Sequence, residues 1–412
     1  MTTFDAAWIM AGCDELASHS QSATGIDRRY LSREHAAVNA IAARWMREAG
    51  LETWQDAAGN QCGRLEGAEP GLPALVLGSH LDTVPDAGRY DGILGVLTAI
   101  AAAARMPGGE LPFALEVVAF GDEEGTRFGR TLLGSAALAG SWQSAWADEL
   151  VDAEGVPLRA AAAAFGLDPD AIGEAARDPR QVLGYLEVHI EQGPILEAED
   201  RRLAVVGSIA GARRMTVTLT GESRHCATPW SLRRDALAGA AEAIAAIERI
   251  GRERDTPVTV GRIRVEPDAV NVIPGLAELS IDIRDADDER RDASLAVIMA
   301  ELERIRAARG LGLAVHETHA AAATRCAPWL MEAFRAGIRS TGDVEPRELY
   351  SIAGHDAMAV AALADVAMLF VRCAGGVSHS PEESVRVEDV AAGLDALEAA
   401  VREVAALARA EG

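Results

Sequence analysis

Residues 74–82 read ALVLGSHLD, a short apolar run, Ala74–Gly78, that gives way at once to His80 and Asp82. An apolar stretch of this length without alternation reads as a strand buried on both faces, and its polar tail marks where the chain leaves the sheet. The same grammar returns three times. Leu115–Phe120 is followed by Gly121-Asp122-Glu123-Glu124, Tyr185–Ile190 contains His189 and runs into Glu191-Gln192-Gly193-Pro194, and Val366–Val371 precedes Ser378-His379-Ser380. Helical stretches such as Ile93–Arg105 lie between them. This alternation predicts an α/β fold, an open, mostly parallel sheet with helices on both faces. Upstream, apolar residues at helical spacing predict helices over Met1–Ser18 and Ser32–Ala49, the second stopped by Gly50. Residues 141–184, rich in Ala with acidic and Pro/Gly punctuation, predict a helical excursion between strands.

From Gly211 the pattern changes. Arg214–Thr220 reads as a strand, Leu232–Ile250 as a helix, Val258–Val265 and Leu276–Arg284 as strands, Asp287–Arg309 as a helix and Leu311–Glu317 as a strand. That order, β-α-β-β-α-β, is the ferredoxin-like pattern. The chain therefore divides into a discontinuous larger domain, 1–210 and 322–412, and an inserted domain, 211–321.

Composition bounds the function. A chain of 412 residues exceeds one hydrophobic core, and 49% hydrophobic with 25% charged residues is the balance of a soluble globular protein. Against 39 Lys and Arg stand 63 Asp and Glu, a net charge of −24 with no basic stripe, which excludes nucleic acid and disfavours anionic membranes. The most apolar charge-free run, Gly92 to Ala104, is ended by Arg105, short of the ~20 residues that cross a bilayer. No leader is read at the N-terminus. Five scattered cysteines without a C-x-x-C pair fit buried thiols in a reducing, cytoplasmic setting.

In an open α/β sheet, ligands bind outside the carboxyl ends of the strands. The polar clusters all stand there. A single His after a strand is more often structural than a ligand, and an acidic run alone is more often a solvated turn; four clusters at four strand ends are a different matter. His80, His189 and His379 with Asp91 and Glu124 suit divalent ions. Five ligands make a dinuclear site only if one carboxylate bridges, and Asp91, at the mouth of a helix, is the candidate. Asp82 is suited to orient the His80 imidazole. Glu123 and Glu124, whose side chains diverge, divide the roles of ligand and general base.

The segments GSHLDTV (78–84), YDGILGV (90–96), FGDEEGTRF (120–128), VHIEQGP (188–194), NVIPG (271–275), GHDAM (354–358) and GGVSHSP (375–381) resemble the amidase/hydantoinase/carbamoylase group of dinuclear metallohydrolases, within the aminoacylase-like metallopeptidases. The N-terminal stretch, DAAGNQCG (56–63) and residues 111–128 are most similar to bacterial allantoate amidohydrolases. The resemblance implies two divalent ions per subunit, zinc or manganese, with cobalt also accepted. His80, Asp91 and His189 would hold one, and Asp91, Glu124 and His379 the other, with Glu123 as general base. It implies that the inserted domain is a lid and a dimerisation module of a homodimer. That domain would supply Asn271 and Arg284 for the substrate carboxylate and His225 for the oxyanion across the dimer, while Gln192 and His355 line the pocket. Two positions depart from the group. Cys226-Ala227-Thr228 reaches Pro229 one residue early, and Ile352 stands where the group has Gly.

The expected activity is metal-dependent hydrolysis of a ureido or carbamoyl C–N bond in a small anionic substrate, foremost allantoate to ureidoglycine, ammonia and carbon dioxide. The alternatives are an N-carbamoyl-L-amino acid or N-carbamoyl-β-alanine hydrolase, then a dipeptidase or deacylase, then a non-catalytic ligand-binding descendant.

Overall fold

A computed structural model describes residues 3–411. The chain forms two compact units, one running to Gly207 and resuming at Arg325, the other Ser208–Thr324. In the first, helix α1 (Ala6–Ala17) is capped by Asp5, which accepts the Trp8 N–H at 2.9 Å, and α2 (Arg33–Glu48) by Ser32, which accepts that of His35. The first two residues of the helix expected over Met1–Ser18 lie outside the described residues. Gly50, with φ 92°, takes the left-handed conformation that ends α2.

Strands β1 (Glu52–Gln55) and β2 (Gln61–Leu65) follow, then β3 (Ala74–His80), α3 (Ile93–Ala104) and β4 (Ala114–Phe120). Short helices α4 (Leu133–Leu138), α5 (Trp146–Glu149) and α6 (Leu158–Phe165), with two 3-10 turns, fill the segment before β5 (Val182–Ile190). This excursion is more broken than its Ala content predicts. Trp146, Leu158, Ala162 and Ile172 from it form a separate apolar cluster with Tyr30 and Leu31. Helix α7 (Ile195–Ala198) and β6 (Leu203–Ile209) lead to the second unit.

There, β7 (Gly211–Thr220), β8 (Arg224–His225), α8 (Ala236–Arg254), β9 (Val258–Thr259), β10 (Ile263–Glu266), β11 (Val272–Ile273), β12 (Leu276–Asp285), α9 (Asp288–Arg309) and β13 (Gly312–Ala321) succeed one another. The sheet order is β10-β12-β7-β13, all antiparallel, with β8 and β11 as a small ladder apart. β12 alternates buried and half-buried along its length, as a strand with one covered face must, and its Ala277, Leu279, Ile281 and Ile283 meet Ala240, Ile247, Ile298 and Leu302 of the helices. The strand expected over Val258–Val265 is in two pieces. Between Thr259↔Asp282 and Ile263↔Leu279 it has one residue more than its partner, a bulge at Gly261 where Arg262 N–H turns to Ser280 Oγ.

The chain returns through β14 (Thr324–Arg325), α10 (Pro328–Ser340), β15 (Arg347–Ser351), α11 (Asp356–Val360), β16 (Val366–Val371) and α12 (Val387–Glu411). The nine-stranded sheet runs β1-β2-β4-β3-β5-β16-β6-β14, with β15 on β6. Its centre, β4-β3-β5-β16, is mutually parallel; β1/β2, β2/β4 and β16/β6 are antiparallel. The expected mostly parallel sheet is thus a mixed one, because β1, β2 and β6 flank the parallel core in antiparallel pairings. Every residue of β3, β4 and β16 is buried, which requires cover on both faces.

Helix α3 packs tightly on that core. Residues 93–103 are all buried, and a β-carbon on Gly95 would stand 2.1 Å from Val188 O and 2.8 Å from Ser79 Cβ. The helix can approach β3 and β5 only because Gly95 has no side chain. Gly95→Ala is expected to cost about 1–3 kcal/mol through overpacking; denaturant unfolding measures it, and an unchanged midpoint would remove this account of the approach.

Candidate metal centre

Because β4, β3, β5 and β16 are parallel neighbours, their carboxyl ends share one edge. His80 is the last residue of β3, His189 the penultimate residue of β5, Glu123 and Glu124 follow β4, and His379 follows β16. The chain turns sharply after each strand. Asp122 (φ 67°), Gln192 (φ 54°) and His379 (φ 54°) are all left-handed without being glycine, and each such residue costs about 1–3 kcal/mol unless its surroundings hold it.

Asp91, in the loop before α3, is the meeting point. Its Oδ1 lies 3.1 Å from His189 Nε2 and 3.8 Å from His80 Nε2, and its Oδ2 lies 2.9 Å from His379 Nε2. Glu124 Oε1 is 3.3 Å from that same His379 nitrogen. Two donor groups result, His80–Asp91–His189 and Asp91–Glu124–His379, and they share Asp91; His80, Glu123 and Glu124 form a third overlapping group. A chain of ligand atoms of this type, with one carboxylate common to two groups, suits a pair of divalent ions.

The local electrostatics fit such cations. His189 Nε2 is buried and makes no hydrogen bond among the described residues, although it is aimed at Asp91. Burial opposes charging of His189, yet Asp91 beside it pushes the imidazole up to about 9. Hydrogen bonds with Asp91 and Glu124 push His379 up to about 10. Burial works against the charge of Asp91 itself, and the neighbouring His189 and His379 hold its carboxyl well below the usual range. A site that pulls protons onto two imidazoles to balance one carboxylate is a site that accepts positive charge. Glu123 behaves oppositely: burial, then the charges of Glu124, Asp356, Asp82 and Asp91, push it well above its ordinary value.

Several expected roles are redistributed. The contact that orients His80 comes from the Asp82 main-chain oxygen, 3.0 Å from Nδ1, and not from its carboxylate, 3.7 Å away. That carboxylate instead accepts the Glu123 and Glu124 N–H groups at 3.1 and 3.2 Å and so fixes the acidic turn. His355, expected at the pocket wall, is fully buried; it packs edge-on to His189 at 4.5 Å between ring centres, with Nε2 2.7 Å from Ser351 Oγ. Gln192 donates to Asp91 and Ser378. Glu191 turns away to accept the Ile195 and Leu196 N–H groups at the start of α7.

His225, Asn271 and Arg284 belong to the second unit. His225 is exposed on β8 and faces Val272 of β11, and the carbonyl of exposed Asn271 accepts the Cys226 N–H, so the small ladder draws these two together. The Arg284 fork bonds both oxygens of Asp282, at 3.0 and 3.1 Å.

Residues that the motifs did not disclose also support the cluster. Arg28, 1% exposed, donates to Leu81 O between His80 and Asp82 and ties that segment to Leu16 O at the end of α1. Glu187 accepts from Ser79 Oγ and the Ala357 N–H, joining β5 to β3 and to α11. Glu383 accepts the N–H groups of Tyr90 and Asp91. The groups that each of them joins are distant in sequence, so no local spacing announces the contact.

Residues 76–403 match the model of peptidase family M20/M25/M40. The chain is 40% identical to an allantoate deiminase of Arabidopsis thaliana, over 94% of this chain and 81% of that one. It is also 40% identical to an N-carbamoyl-L-amino acid amidohydrolase of Geobacillus stearothermophilus, over 92% and 93% of the two chains. Among solved structures, an amidase of the hydantoinase/carbamoylase family from Burkholderia multivorans superposes with a TM-score of 0.87 at 31% identity, covering 96% of this chain and 97% of the other.

The cluster also depends on a backbone position beside it. Gly92 has φ 72°, and a β-carbon there would stand 2.4 Å from His80 Cε1 and Nε2. Gly92→Ala must strain the backbone and displace the His80 ring. Divalent-ion affinity is expected to fall by roughly 10–100-fold; elemental analysis showing wild-type metal content after dialysis would refute it.

Proposed function

The chain belongs to peptidase family M20/M25/M40, and from that premise we propose that it is a metal-dependent amidohydrolase of a carbamoyl or ureido C–N bond, with allantoate as substrate and ureidoglycine, ammonia and carbon dioxide as products. The observation that carries the reading is Asp91, one carboxylate shared by two His-containing donor groups with a buried acid, Glu123, beside them.

His80, Asp91 and His189 would hold one divalent ion, and Asp91, Glu124 and His379 the other. When bound, such ions lower the pKa of water and polarise a carbonyl oxygen. Glu123 takes a proton from the attacking water and returns it to the leaving nitrogen, a task that suits a carboxyl whose burial makes it hold a proton more firmly than usual. Asp82 keeps Glu123 in place through the backbone of the acidic turn. His225 Nδ1 accepts the Ala227 N–H at 3.2 Å, which leaves the proton on Nε2 as a donor for the oxyanion. Arg284 would exchange Asp282 for the substrate carboxylate, and Asp282 keeps a second partner in Arg214 at 2.9 Å. Asn271 would assist Arg284, Gln192 would line the substrate pocket, and His355 would support it through the His189 ring on which it packs.

The unit Ser208–Thr324 is read as an inserted lid and as the contact of a homodimer, which would cover exposed Trp230 and Val270. All five cysteines are free, which agrees with a reducing, cytoplasmic location. Among the described residues no helix is long and apolar enough to cross a membrane.

A second reading, an N-carbamoyl-L-amino acid hydrolase, is favoured by the equal identity to such an enzyme. Ammonia release from allantoate and from a panel of N-carbamoyl amino acids, with zinc or manganese supplied, separates the two; turnover of the latter with allantoate inert decides for the second. Glu123→Gln is expected to lower kcat by about 10²–10⁴-fold at unchanged metal content, and an active variant would remove Glu123 as the base.

A further inference from the structure

Asp91 is gripped at two levels. Its side-chain Oδ2 receives Gln192 Nε2 at 3.0 Å and lies 2.9 Å from Ser378 Oγ. Its main chain is held by Glu383, which is 4% exposed and stands in the segment before α12. Glu383 Oε1 accepts the N–H groups of Tyr90 at 2.7 Å and Asp91 at 3.2 Å, and Oε2 lies 2.9 Å from Ser378 Oγ. Ser378 has one hydroxyl proton, so it serves Asp91 or Glu383 in turn while accepting from Gln192 Nε2 at 3.2 Å. The space for this carboxylate is made by Gly88, where a β-carbon would stand 2.2 Å from Glu383 Cδ.

The segment that carries Asp91 belongs to no sheet ladder. Its carbonyls at 90 and 91 accept the Leu94 and Ile93 N–H groups at the start of α3, while its buried N–H groups at 90 and 91 would lack partners without Glu383. We propose that Glu383 is the positioning residue of the Asp91 carboxylate, strapping the Tyr90–Asp91 backbone to the Ser378–His379 turn and so setting the distance between the two donor groups. The inference rests on the reading of Asp91 as the ligand common to two ions. It assigns Glu383 no contact with substrate or metal. What Glu383 supplies is two accepted backbone hydrogen bonds and one hydroxyl contact, and a glutamine can supply all three, its oxygen accepting the N–H groups and its amide donating to Ser378.

The test is titration of the metal-stripped full chain with Co²⁺ and Zn²⁺, recording affinity, stoichiometry and the visible Co²⁺ spectrum. Glu383→Ala is expected to weaken binding by roughly 10–100-fold, the range for residues that orient a ligand, and to alter the spectrum. Gly88→Ala, which leaves Glu383 in the sequence but fills its seat, should do the same, and Glu383→Gln should stay near wild type. If Glu383→Ala does not fold, Gly88→Ala against Glu383→Gln makes the same comparison. Wild-type affinity and spectrum in Glu383→Ala and Gly88→Ala, or a Glu383→Gln as weak as the alanine variant, would overturn the proposal while leaving the two-ion reading intact. A wild-type chain that binds no divalent ion overturns that reading, and the proposal with it.

Discussion

An ionised carboxylate buried among imidazoles is the constraint on which the rest of this molecule hangs. Asp91 is 4% exposed, and a charge removed from water is costly unless positive charge and hydrogen bonds replace the lost solvent. Three histidine nitrogens and two side-chain donors converge on its two oxygens. Without cations, the balance is struck by protons drawn onto His189 and His379, which are raised to about 9 and about 10.

The scaffold exists to bring these groups from five distant places in the chain. Parallel order across β4-β3-β5-β16 puts four strand ends on one edge, and α3 seats the fifth, Asp91, by lying almost in contact with the sheet at Gly95. The turns that follow the strands are conformationally costly at Asp122, Gln192 and His379. They persist because each is tied elsewhere, as when Asp82 accepts the N–H groups just after Asp122 and Gln192 reaches Asp91.

The parallel core was legible because burial on both faces leaves uninterrupted apolar runs: Val366–Val371 is strand β16 to the residue, and β3 and β4 differ from their expected limits only at the ends. The flanking strands β1, β2, β6, β14 and β15 were not. Their strands are short or lack a long apolar run, and their stability comes from a neighbour rather than from their own pattern. Four of the five candidate ligands were legible as types at strand ends, and Asp91 as an acid at the mouth of a helix. Their supports were not: Asp82 acts through its main chain on His80 and through its side chain on the acidic turn, His355 is buried behind His189, and Glu191 caps a helix.

The sequence by itself determined which residue types stand where the core strands end. Histidines and carboxylates after apolar runs single out candidate ligands and a candidate base, and that selection depends only on local pattern. Tertiary structure decided which groups share a carboxylate and what keeps it in place. Glu383, Arg28 and Glu187 act on partners up to hundreds of residues away, and a hydrogen bond between residues 90 and 383 leaves no period, spacing or composition for a linear reading to detect.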